Sequence, residues 1–234
     1  MLGLIGAMKI EMEQLLSNLG DARTTQIGSM TFHAGSLWGR RAVLCVCGPG
    51  KVNAALCAQA MILTYHPEAV INLGVAGSLS GELSIGDVVV GTYAVEHDMD
   101  TTPLGDPPGY LSGIGLVRLP LDEPLRARLL KTLQSLPDMH GAAGGIATGD
   151  QFLHDHAGRD RVRELFGCLC CEMEGAAVAH ACYMNDVPCA VIRSISDNAD
   201  GTSDTDFLRF ASSAAENAAR LIRLFLTQGE ERPE

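Results

Sequence analysis

Aromatic residues are scarce in this chain: one Trp, four Tyr and six Phe among 234 residues. Apolar residues still make up 47% of it, so any core must be aliphatic, built from Ala, Val, Leu and Ile. Basic residues are also short, with 17 Lys and Arg against 28 Asp and Glu, a formal net charge of −11. That balance argues against a nucleic acid or an anionic membrane as partner, since both select cationic surfaces. It leaves a small neutral or cationic substrate open. No apolar run approaches the ~18 residues that span a bilayer. Met1-Leu2-Gly3-Leu4-Ile5 opens without a basic segment, so no signal peptide is expected and the expected location is the cytoplasm.

Several familiar motifs are present only in part. Gly3-Leu4-Ile5-Gly6 follows a strand pattern but lacks the third glycine and the later acidic residue of a dinucleotide site. Gly48-Pro49-Gly50-Lys51 resembles the end of a phosphate loop, yet Val52 stands where a hydroxyl should hold magnesium, so a tight turn between strand and helix is expected. Gly77-Ser78-Leu79-Ser80-Gly81 has Leu79 at the centre and is no nucleophile elbow. His154-Asp155-His156 reads as polar surface. Cys45, Cys47, Cys57, Cys168, Cys170, Cys182 and Cys189 lie inside apolar patterns, which predicts reduced thiols used as small hydrophobes. Neither a metal nor a cofactor is expected.

The length suits one α/β domain, over residues 1–229, with a solvated tail at 230–234. Strands are expected at Leu2–Ile5, Ala69–Leu73, Asp87–Val95, Gly144–Thr148, Gly167–Cys171 and Pro188–Ile195, with an antiparallel meander over Thr24–Cys47. Helices are expected at Lys9–Leu19, Lys51–Tyr65, Leu121–Leu136, Gly158–Phe166, Gly175–Tyr183 and Ser203–Leu226. Thr101–Gly113, with Gly105, Pro107, Pro108 and Gly109 at its centre, reads as a long irregular loop of the kind that serves as a lid or an interface.

The run Pro188–Ile195 reads as a buried strand that leads through Ser196 to Asp197, just past its carboxyl end, where open α/β sheets place their ligands. Leu2–Ile5 leads in the same way to Glu11, and Gly167–Cys171 to Glu174. Each carboxylate has a plainer explanation as a helix-terminus or turn residue. Together they converge on one crevice, with Arg193 and Ser196 on the same segment. Separated carboxylates without a metal or nucleophile motif suit cleavage of a glycosidic bond. One carboxylic acid protonates the leaving group, another carboxylate activates water, and a third stabilises the cationic sugar. A non-catalytic nucleotide-binding module would need no acid and base at opposed strand ends.

Gly6-Ala7-Met8 with Glu11, Gly74-Val75-Ala76-Gly77, Ser84–Val89, Gly149-Asp150-Gln151-Phe152, Glu172-Met173-Glu174 and Ser194–Asp200 occur in this order. The ordered set resembles the 5′-methylthioadenosine/S-adenosylhomocysteine nucleosidases of the nucleoside phosphorylase superfamily, over nearly the whole chain. The resemblance implies a single-domain three-layer α/β sandwich, phosphorylase/hydrolase-like, with a central twisted mixed sheet flanked by helices. It implies hydrolysis of 5′-substituted adenosines to adenine and a thioribose, a step of methionine salvage. Asp197 would be the general acid at purine N7, positioned by Ser196. Glu11, assisted by Arg193, would activate water. Glu174 and Met173 would hold the ribose, Phe152 would stack on adenine, and the backbone of Leu153 would read its edge. Gly77 would permit close approach, and Met8 would line the 5′ pocket. The resemblance further implies a homodimer in which the 101–113 loop, with Leu104 and Tyr110, closes the neighbour's pocket. Val75 stands where many members carry a serine near the water. A purine nucleoside phosphorylase and an aminofutalosine hydrolase are the related alternatives. The first is disfavoured by Asn72 in place of a phosphate-binding arginine and by Glu11, whose charge would repel phosphate.

Overall fold

Leu2, Leu4 and Ile5 have no polar interruption, and β1 (Leu2–Gly6) is accordingly buried along its whole length in the computed structural model, which describes residues 1–198 and 203–228. The expected tail at 230–234, and Ala199 and Asp200 of the motif after Asp197, lie outside the described residues. Following β1 come α1 (Lys9–Ser17) and a meander of β2 (Leu19–Ile27), β3 (Met30–Leu37) and β4 (Arg40–Val46). Next are α2 (Lys51–Tyr65), β5 (Ala69–Ser78), β6 (Val88–Glu96), the short β7 (Leu119–Pro120), α3 (Glu123–Gln134) and β8 (Gly141–Thr148). The chain finishes with α4 (His156–Phe166), β9 (Cys168–Glu172), α5 (Gly175–Met184), β10 (Cys189–Asp197) and α6 (Ser203–Thr227).

The layers follow from side-chain alternation along the strands. Ile5, Val43, Cys45 and Val70 face one side, where Ala54, Cys57, Ala58 and Met61 of α2 and the alanines of α5 cover them. Leu4, Leu44, Ile71 and Ile192 face the other, against Leu15 of α1, Leu129 of α3 and Leu221, Ile222 and Phe225 of α6. This is the expected three-layer α/β sandwich with a mixed sheet.

The sheet closes on itself. β5 runs parallel to β10 through Val70–Gly77, β10 pairs antiparallel with β6, and β6 lies parallel to β8 and β8 to β9. β9 returns antiparallel to β5 at Gly77 and Ser78, completing a five-stranded barrel. From β5 the sheet also extends outward through β1, β4, β3 and β2. Thus β1 and β9 take turns on one edge of β5, β1 along Ala69–Asn72 and β9 at Gly77 and Ser78. Among the described residues, no strand pairs with that edge between Leu73 and Ala76.

Several boundaries differ from expectation, each for a local reason. The first helix stops at Ser17, because Leu19 enters β2 opposite Leu37. β5 does not end at Leu73 but continues through Gly74-Val75-Ala76-Gly77, since β10 supplies a partner throughout. α3 starts at Glu123, where the Asp122 carboxylate accepts the Leu125 N–H at 2.8 Å and Pro124 fits the first turn. Gly167 caps α4 at φ 67° and so does not open β9. Asp197 closes β10 rather than following it. Thr101–Gly113 contains one 3₁₀ turn, Thr102–Leu104, and is otherwise irregular. All eight cysteines are free and buried, including Cys168 and Cys171, whose Cys-x-x-Cys spacing the sequence reading passes over. Among the described residues no cluster of His, Cys, Asp and Glu could hold a metal, and no helix is long and apolar enough to cross a membrane.

Candidate active site

The unpaired stretch of β5 sets the position of Glu11. This residue occupies the first turn of α1, and its Oε2 accepts the N–H groups of Ala7 and Met8, each at 2.8 Å. Its Oε1 accepts the Val75 N–H at 3.1 Å, the group left exposed where β1 and β9 part. Gly74 makes this approach possible, for a Cβ there would lie 2.5 Å from Glu11 Oε1. Glu11 is therefore both a helix-start residue and a site residue. Burial raises its pKa, against the lowering pull of Arg193 and the three N–H groups.

Asp197 arrives from the opposite edge of β5. The β5–β10 register slips between Ile195 and Asp197, a bulge that turns the carboxylate into the crevice. Ser196 Oγ donates to Asp197 Oδ2 at 2.9 Å, and both residues are buried.

Glu174 stands at the start of α5, after β9. Its Oε1 accepts the Gly50 N–H at 2.7 Å. Burial, then repulsion from Glu172, pushes its pKa up to about 7, against the opposing pull of Arg193. Glu172 is the carboxylate that sequence reasoning passed over. Its Oε2 accepts the N–H groups of Glu174 at 2.9 Å and Gly175 at 2.7 Å, and its carboxylate also accepts from Thr148 Oγ1 and Arg193. It thus fixes the backbone that carries Glu174.

These side chains line one crevice of about 200 Å³ together with Met8, Gly77, Phe152, Leu153, Met173 and Ser196. Phe152 is 44% exposed and meets Phe207 of α6 edge-on, with ring centroids 5.9 Å apart. Phe207, Pro49, Cys171 and Glu172 also line the crevice, and the sequence reading assigned none of them. Leu104 and Tyr110 do not line it; Leu104 projects from the 3₁₀ turn and is 83% exposed.

Arg193, expected to assist Glu11 in activating water, stands apart from the other expected site residues in that it does not line the crevice. A guanidinium has five N–H donors, and all of these end on protein groups. Nε and Nη2 bind Glu172, Nη2 also binds Asn72 Oδ1, and Nη1 reaches the carbonyls of Ile192 and Asn72 at 2.8 and 3.5 Å. Burial works against its charge, but Glu172, Glu174 and Glu11 raise its pKa. Arg193 therefore sits behind the crevice as a buried counter-charge. His154 and His156 are exposed, and Asp155 between them caps α4 through the Gly158 N–H at 2.8 Å.

The phosphorylase superfamily profile matches residues 1–227. A 5′-methylthioadenosine/S-adenosylhomocysteine nucleosidase from Shewanella sediminis is 36% identical over 228 residues, covering 97% of this chain and 99% of the relative. One from Chromohalobacter salexigens is 37% identical over 222 residues, 94% of each chain. The solved Neisseria meningitidis nucleosidase of the same name, in complex with methylthio-immucillin-A, superposes with a TM-score of 0.94 at 33% identity, covering 97% of this chain and 99% of that one. A futalosine hydrolase of Helicobacter pylori superposes with a TM-score of 0.93 at 31% identity, covering 97% of both. Fold, strand-end carboxylates and full-length similarity agree, and the chain belongs to the 5′-methylthioadenosine/S-adenosylhomocysteine nucleosidase family of the phosphorylase superfamily.

Proposed function

We propose that this protein hydrolyses the N-glycosidic bond of 5′-methylthioadenosine, S-adenosylhomocysteine and related 5′-substituted adenosines, releasing adenine and a thioribose. The observation that carries this reading is the convergence of Glu11, Glu174 and Asp197 on one crevice from three separate strand ends. Asp197, oriented by Ser196, protonates N7 as the bond between adenine and C1′ lengthens. Glu11 takes a proton from the water attacking C1′, a task its raised pKa suits. Glu174 bonds the ribose hydroxyls and offsets the positive charge that develops on the ring. Phe152 and Phe207 cover the purine and the 5′ group, and Met8 and Met173 supply apolar walls.

Water rather than phosphate is the nucleophile. Among the described residues no lysine or arginine lines the crevice, and the one cation behind it is spent on Glu172 and Asn72. A phosphate dianion would meet carboxylates without a partner.

The working unit is a homodimer in the cytoplasm. Val52, Leu56 and Leu63 form an exposed apolar stripe along one face of α2, and Leu104 stands out from the 101–113 loop. A second copy covering these surfaces would bring that loop to the neighbouring crevice. The free thiols fit a reducing compartment.

The test is adenine release from a panel of 5′-substituted adenosines and an aminofutalosine-type nucleoside, with and without phosphate. Phosphate-independent release from methylthioadenosine is expected, and a requirement for phosphate would overturn the hydrolase reading. Asp197→Asn should retain ligand binding and slow turnover by ~10² or more.

A further inference from the structure

Two motifs left idle by this chemistry, the Gly48-Pro49-Gly50-Lys51 turn and Asp150, join its two halves. Consecutive N–H groups at the start of α2 point at different carboxylates. That of Gly50 goes to Glu174 Oε1 at 2.7 Å, and that of Lys51 to Asp150 Oδ1 at 2.8 Å. The Asp150 N–H in turn donates to Asp98 Oδ2 at 2.8 Å, and Asp98 Oδ1 accepts from Lys51 Nζ at 2.7 Å. The path closes into a ring: Lys51 main chain, Asp150, Asp98 and back to the Lys51 side chain. Glu96 gives Lys51 Nζ a second partner at 3.1 Å and is itself held by His180 Nδ1 at 3.0 Å. Gly50, at φ 98°, leaves room for the crossing, for a Cβ there would lie 3.1 Å from Asp150 Oδ1.

We infer that Asp150 is a positioning residue, tying the segment that carries Phe152 to the turn that holds Glu174 and so fixing the spacing between purine and ribose contacts. An isolated surface ion pair would do little. Here two of the ring's three links are made to backbone N–H groups, so the ring restrains the chain itself. A loop already ordered costs less to bind against. The negative charge also suits the N-terminus of α2.

The inference rests on the nucleosidase reading, and its test separates the two. Asp150→Ala should raise KM for methylthioadenosine and weaken inhibition by adenine about tenfold, with kcat within about twofold, because the purine contact is present in ground and transition states alike. Asp150→Asn keeps an acceptor for the Lys51 N–H and should stay within about threefold of wild type. Hydrogen exchange of the amides at 150–153 should quicken in the Ala variant and not in the Asn variant. Asp98→Ala should reproduce the KM rise, and the double variant should be no worse than the poorer single one. Unchanged KM in Asp150→Ala, equal losses in the Asn and Ala variants, unchanged exchange, or additive losses in the double variant would each overturn the inference. Wild-type turnover is read alongside: its absence would sink the nucleosidase reading, while the exchange comparison would still decide the ring.

Discussion

Val75 donates its backbone N–H to the Glu11 carboxylate at 3.1 Å, across the gap where β5 exchanges one strand neighbour for another. A sheet defect that would otherwise strand a buried donor is thereby turned into the anchor of the carboxylate proposed as the base. Val75 has no side-chain hydroxyl to offer, and its main chain holds the carboxylate instead.

Gly74 is the residue most exposed to this arrangement. A methyl group there collides with Glu11 Oε1 at 2.5 Å, and the colliding atom is the end of a movable side chain. Gly74→Ala should therefore fold, yet lose at least about tenfold in kcat through displacement of the base. Circular dichroism with steady-state kinetics checks both halves, and near-normal turnover would contradict the placement of Glu11.

Glu172 and Arg193 set the charge balance around Glu174. Burial raises the Glu174 pKa to about 7, Glu172 adds to the rise and Arg193 opposes it. Glu172→Gln removes the repulsion and leaves the Arg193 charge uncompensated, and both changes favour ionised Glu174. The acidic limb of kcat/KM should move to lower pH by about one unit or more. A pH profile with an unmoved limb would refute the assignment.

The same shift bears on stability. Because the folded pKa of Glu174 lies above the ordinary carboxyl value of 4.5, its contribution is greatest below pH 4.5 and is lost as pH rises through about 7. Glu174→Gln should therefore stabilise the fold at pH 8, on the order of 2 kcal/mol or about 5 °C in Tm, and have little effect near pH 5. Calorimetry at the two pH values decides this, and equal effects at both would show that ionisation is not the cause. Activity should be lost at either pH.

The stripe on α2 predicts association. Leu56→Asp, at a side chain 58% exposed in the isolated chain, should halve the sedimenting mass and lower kcat/KM together. A wild-type monomer with full activity would remove the need for a second copy.

Much of this was legible from local pattern. Apolar runs such as Leu2–Ile5 and Ala190–Ile195 identified strands, and carboxylates just beyond them identified a crevice, because strand ends on one sheet must gather. Long-range pairing was not legible. The closure of β10 on β5 joins segments more than a hundred residues apart, and that pairing carries β5 on to Gly77 and bulges the chain at Ser196. Phe207 escaped notice because its helix packs back over the crevice from the far end of the chain. Glu172 escaped because a residue of the same type two positions on, Glu174, already filled the expected role. Arg193 was placed in the right strand, but its donors could not be counted without its neighbours.

The closed barrel divides labour within the molecule. Its strands pair into a cylinder, with Asp197 at the end of β10 and Glu174 just after β9, so these two carboxylates are held by the closed part of the sheet. On the proposed reading, discrimination among 5′ substituents falls to parts outside the cylinder, Pro49 in its turn and Phe207 on α6. Such a molecule can acquire new substrate preferences by changing its periphery while the bond-breaking apparatus stays as it is.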